Sequence, residues 1–215
     1  MASPAQLVQT VSDATGIPLP TITDIDRRLV KAKLRTLGGR GLSAARMAPL
    51  DAARLLTAIL GSPQANAAAE AVERYALTRP DKTSSSDSGF ARIELEELAA
   101  LPARHSFVDA LAALITSAAG GSLARLMAAS EGWSPRIEVF GFTRAVRGRI
   151  RIAGMPNGHT ASIEYDAPAI ARPTKSKARR AAMLDQREGD LEQSRRVTER
   201  TILSIAELLA GEDGK

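Results

Sequence analysis

Seven basic side chains, Arg27, Arg28, Lys31, Lys33, Arg35, Arg40 and Arg46, fall within twenty residues that contain no Asp or Glu. Charge of one sign at this density attracts polyanions, and arginine donates bidentately to phosphate oxygens and to acceptor edges of bases in the major groove. Thr21 and Thr23 stand just upstream, with hydroxyls suited to the same acceptors. Two further basic groups have different settings. Arg147, Arg149 and Arg151, with Arg144 before them, alternate with small or apolar residues, as on the wet face of a hairpin. Arg172 to Arg180 lies in a stretch poor in large apolar residues, which reads either as a mobile linker or as a disordered arm that touches phosphates.

Other chemistry is thinly represented. There is no cysteine, which removes disulfides, thiolate metal sites and thiol nucleophiles together. The two histidines, His105 and His159, are far apart and read as surface residues, so no metal site is expected. Glu94, Glu96 and Glu97 form a carboxylate group, but their place in the first turns of a helix makes them partners of the helix dipole. No phosphate loop, nucleophile elbow or zinc-protease helix occurs, so neither an enzyme nor a cofactor is expected. Aromatics at 3% leave too few rings for a platform that stacks single-stranded bases.

The elements that must position the basic run are legible in its flanks. Ser3 is a good N-cap, Pro4 suits the first helical position, and Leu7, Val8 and Val11 form one apolar face. Gly16 suits the left-handed exit. Ile22, Ile25 and Leu29, spaced by three and four, predict a second helix from Thr21 to about Leu34. Gly38, Gly39 and Gly41 around Arg40 predict a tight turn, flanked by short strands near Leu34 to Leu37 and Ser43 to Met47. A third helix is expected from Pro49 to Leu60, and another from Gln64 to Thr78. Arg79 to Gly89 reads as linker, followed by helices over Glu94 to Leu101, Ser106 to Ala119 and Leu123 to Ala129. The period then changes to two in Arg136 to Phe140, Arg149 to Ile152 and Ser162 to Tyr165, which predicts antiparallel strands. Leu191 to Leu209 reads as one C-terminal helix with Val197, Ile202, Ile205, Leu208 and Leu209 on a single side.

Ala14-Thr15-Gly16-Ile17, Asp26-Arg27-Arg28-Leu29 and Gly38-Gly39-Arg40-Gly41 together resemble winged helix-turn-helix DNA-binding domains, as found in bacterial and phage regulators and some phage small terminase subunits. The resemblance covers about residues 3 to 61 and holds at superfamily level. It implies a recognition helix that presents Thr21, Thr23, Arg27, Arg28 and Lys31 to the major groove, with Lys33, Arg35 and Arg46 nearby and Arg40 at a wing tip in the minor groove. Asp24 and Asp26 depart from a purely basic helix. They either accept from cytosine N4 or complement the helix dipole, and the dipole reading is favoured.

With 29 basic against 24 acidic residues the chain carries +5, a mild lean towards polyanions. No apolar stretch reaches the roughly 18 residues of a membrane span, and Arg27 is the first basic residue, so neither membrane nor signal peptide is expected and the cytoplasm is the anticipated compartment. The expected fold is mainly α, of the α+β class: a winged helix-turn-helix over 1–62, a helix and linker over 63–90, and an α+β assembly or regulatory region over 91–215 with a mobile basic segment near 167–190. The expected function is a transcriptional regulator that binds double-stranded DNA as a homo-oligomer. An oligomeric phage DNA-packaging subunit and a protein-interaction module without DNA binding are the alternatives.

Overall fold

The computed structural model describes residues 2–38, 45–81, 95–129, 136–142, 146–154, 160–167 and 193–211. Helix α1 (Pro4–Thr15) starts as the sequence requires. Ser3 Oγ accepts from Gln6 N–H, and Gln6 Oε1 accepts in return from Ser3 N–H at 2.8 Å. Gly16, at φ 72°, closes it in the left-handed conformation. Helix α2 (Leu19–Lys31) follows after a short turn, and α3 (Pro49–Gly61) opens on Pro49.

A 3-10 turn (Ala65–Ala67) leads into α4 (Ala68–Ala76), so the helix expected from Gln64 to Thr78 is shorter and broken at its start. Of the linker expected from Arg79 to Gly89, only the start falls within the described residues, and residues 82–89 lie outside them. Arg79–Pro80 is strand β1, whose edge position tolerates a proline because no ladder donor is needed there. Then come α5 (Glu96–Ala99), α6 (Phe107–Ala119), α7 (Ser122–Ala128), β2 (Arg136–Phe142), β3 (Arg147–Ala153) and β4 (Ala161–Asp166). The chain closes with β5 (Ser194–Thr198) and α8 (Glu199–Ala210).

The five strands among the described residues form one antiparallel sheet in the order β1-β4-β3-β2-β5. Ile137, Val139, Ile150, Ile152, Ile163, Tyr165 and Val197 alternate onto one face and are buried against α3, α6 and α8. β2 runs hard against the end of α3. A Cβ at Gly141 would stand 2.8 Å from the Leu60 carbonyl oxygen, so only glycine permits this approach. Tyr75 of α4 is fully buried. Its hydroxyl sits where the β2–β3 ladder opens, accepting from Phe142 N–H at 2.9 Å and donating towards the Arg147 carbonyl at 2.7 Å. Burial pushes this phenol up to about 12.

Three expectations are overturned here. The single helix over Leu191 to Leu209 is, within the described residues, a strand and then a helix. Val197 sits in the sheet opposite Val139, because antiparallel pairing with β2 outweighs local helical preference. The boundary expected at residue 62 does not separate two cores. α1 packs on α8 and α3 on α6, and Leu7, Leu56, Leu111, Ile150 and Ile202 belong to one continuous cluster. His105 is buried, with Nδ1 2.7 Å from the Pro102 carbonyl and Nε2 2.8 Å from the Tyr165 hydroxyl. It is a packed structural group rather than a surface residue. His159, Glu94, Arg144 and the basic segment Arg172 to Arg180 lie outside the described residues.

Candidate nucleic-acid interface

Helix α2 has two faces of opposite character. Ile22, Ile25 and Leu29 are buried, as their spacing requires, while Thr21, Arg27 and Lys31 are exposed. Arg27 and Lys31, one turn apart, make no ion pair among the described residues. Arg46, exposed just before α3, makes none either.

The other residues of the expected set are committed in different ways. Thr23 Oγ1 donates to the Leu19 carbonyl at 2.8 Å, so its hydroxyl is held by its own helix. Arg28 Nε lies 3.0 Å from Asp24 Oδ2, one turn back, and both are about half exposed. Asp24 is therefore a partner for Arg28, beyond either role expected of it. Lys33 adopts φ 59° immediately after α2, where Leu34 N–H reaches the Leu29 carbonyl at 2.9 Å. This is the left-handed closing position usually held by glycine. Its side chain remains exposed.

Arg35 is the clear correction. Its Nε lies 2.8 Å from Asp26 Oδ1, off the line of a well-aligned hydrogen bond, and the two side chains are only 12% and 11% exposed. One of its terminal nitrogens also donates to the Thr36 carbonyl at 3.1 Å. Burial raises the Asp26 carboxyl above its ordinary range, Arg35 pulls it down, and nearby Asp51 raises it. Arg35 and Asp26 thus serve the interior, because an unpaired carboxylate at this depth is costly.

Arg40 lies outside the described residues, which resume at 45. The flanking strands expected near Leu34 to Leu37 and Ser43 to Met47 are not formed by the described residues of those spans. A buried carboxylate joins the described residues on either side instead. Asp51 accepts from Thr36 N–H at 2.7 Å and from Ala48 N–H at 2.9 Å. Arg54 reinforces this by donating to the Leu34 carbonyl at 3.1 Å. No strand ladder is needed once both orphan amides have a charged acceptor.

The hairpin arginines occupy the face of the sheet opposite the described helices, as their alternation indicated. Arg147 pairs with Asp166 at 3.1 Å, Arg149 with Glu164, and Arg151 with Glu138 at 3.3 Å. Arg196 of β5 meets the other Glu138 oxygen at 2.7 Å. Phe140 lies under two of these guanidinium groups, with centroid distances of 5.9 Å to Arg149 and 6.0 Å to Arg196.

Arg195 and Arg196, expected on a helix, stand on β5. Arg195 donates to the carbonyls of Ile59, Ser62 and Pro63 and so caps the C-terminus of α3. The available signal was local: Ser194-Arg195-Arg196-Val197-Thr198 ends in two β-branched residues, which favour a strand.

The class that this architecture defines is α+β, with helices on one side of an antiparallel sheet. No protein-family model, curated protein or solved structure matches the chain. No helix among the described residues is by itself long and apolar enough to cross a membrane.

Proposed function

We propose that the protein binds duplex DNA through the outer face of α2, with α1 and α2 as a helix-turn-helix and the Arg40 loop as an arm beside it, in the manner of a transcriptional regulator. The observation that carries this reading is the pair Arg27 and Lys31. They project from a helix whose opposite face is sealed in the core, and no carboxylate among the described residues neutralises them. Such a helix fits the major groove, and cations without internal partners exchange with the counterions of phosphates. Self-association belongs to the reading, because one small head contacts few base pairs.

Fluorescence polarisation of a labelled duplex across a salt series tests it. Arg27→Ala combined with Lys31→Ala is expected to weaken binding about tenfold and to reduce the log–log salt slope by about two, one per phosphate contact. If Arg27 reads a base, its single variant loses about 1–3 kcal/mol on the preferred sequence alone. Affinity unchanged in the double variant, with an unaltered melting curve, sinks the proposal.

A further inference from the structure

An open cavity of about 620 Å3 lies between the end of α1, the first half of α2, the end of α3 and the junction of β5 with α8. Its size is within the range of small-molecule sites. The floor is apolar, with Ile25, Ile59, Leu60 and Val197 contributing buried side chains. The rim is polar and cationic. Arg195, Arg196 and Arg200 all line it, and no Asp or Glu does so among the described residues.

The charges differ in how far they are neutralised. Arg195 spends its donors on three neutral carbonyls and keeps its full charge. Arg196 is balanced by Glu138. Arg200 is exposed and forms no ion pair among the described residues. Glu199, the nearest acid in sequence, is turned away to accept from Ile137 N–H at 3.1 Å. Thr198 supplies no side-chain cap to α8, whose first turn carries Glu199 and brings Arg200 and Thr201 to the cavity.

We propose that this cavity binds a small organic anion, a carboxylate, phosphate or sulfonate head carried on an apolar body. The head meets Arg200 and the Arg195 charge, and the body lies on the Ile25, Ile59, Leu60 and Val197 floor. A bare inorganic anion satisfies the first half of this surface only. The site stands whether or not α2 reads DNA.

The test is titration of the full chain with 8-anilinonaphthalene-1-sulfonate, followed by methyl NMR, with neutral 1-naphthol as comparison. The sulfonate is expected to shift the methyls of Ile25, Ile59, Leu60 and Val197 and to bind at least tenfold more tightly than naphthol. Arg200→Gln is expected to weaken it at least fivefold with an unchanged melting curve. Thr21→Glu, which sets a carboxylate on the rim, should weaken it further still. Unmoved methyls, equal binding of naphthol, or full affinity in both variants overturns the proposal. If Arg200→Gln weakens duplex binding while the sulfonate leaves these methyls unmoved, the cavity serves a DNA phosphate only, and the small-anion site is equally refuted.

Discussion

Two surfaces of this molecule are rich in arginine, and they have opposite uses for it. On the outer face of the sheet, Arg147, Arg149, Arg151 and Arg196 each meet a carboxylate from a neighbouring strand, and Phe140 is sandwiched beneath two of them. On α2, Arg28 alone has such a partner, while Arg27 and Lys31 have none among the described residues. Basic residues counted along the chain do not measure charge available to a ligand. What matters is whether the fold brings an acid within reach, and cross-strand neighbours do this where a solvated helix face does not.

Arg35 belongs by sequence to the free group and by structure to the paired one. Arg35→Ala leaves Asp26 buried without its cation and is expected to destabilise the fold by about 3 kcal/mol, measured by urea denaturation. A surface DNA contact would lose less than about 0.5 kcal/mol of stability. The pH dependence has a definite sign. Burial raises Asp26 in the folded state, so its linked stability is present below the ordinary value of 3.8 and is lost as pH rises through the raised one. Removing Arg35 extends that window upwards. The deficit is therefore expected to be largest near neutrality and to shrink as pH falls through the raised value.

Glu138→Gln tests the other side. It leaves Arg151 and Arg196 without their shared charge, with an expected loss of about 1–2 kcal/mol after solvent screening of the half-exposed arginines. The same variant should raise non-selective DNA affinity and steepen its salt dependence, because two cations are released. Stability and DNA affinity both unchanged would mean that the sheet lattice neutralises nothing.

Lys33→Gly separates backbone from side-chain roles within the α2 group. Glycine relieves the left-handed conformation at φ 59°, and the melting temperature is expected to rise with a gain of about 1 kcal/mol. A fall would show that the lysine side chain carries stability. Asp24→Asn has the smallest expected effect on the fold, under about 0.5 kcal/mol. It frees Arg28, so duplex affinity should rise modestly in the polarisation assay, whereas a drop would assign Asp24 to direct base contact.

The elements legible in the sequence are those whose signals are local. Ser3 with Gln6, Pro4 and Gly16 set the limits of α1, and the spacing of Ile22, Ile25 and Leu29 fixed which side of α2 turns inward. Alternation in Arg136 to Phe140, Arg149 to Ile152 and Ser162 to Tyr165 located three of the five strands. Such signals reside within a few residues of the chain, because caps, helical faces and the pleat depend on near neighbours.

The rest came from tertiary contacts, Val197 and Thr198 being no more than a weak local cue for β5. Arg79–Pro80 and Ser194–Thr198 are strands because β4 and β2 offer ladders to them, and neither partner is near in sequence. Arg35 became an internal ion pair through Asp26, nine positions back across a helix end. Asp51 ties Thr36 to Ala48 where strands were expected, and the cationic cavity drew α1, α2 and α3 together with residues 195–201. Each of these depends on which distant group arrives within about 3 Å, the range over which hydrogen bonds and ion pairs act. Local spacing records nothing at that range until the chain has folded.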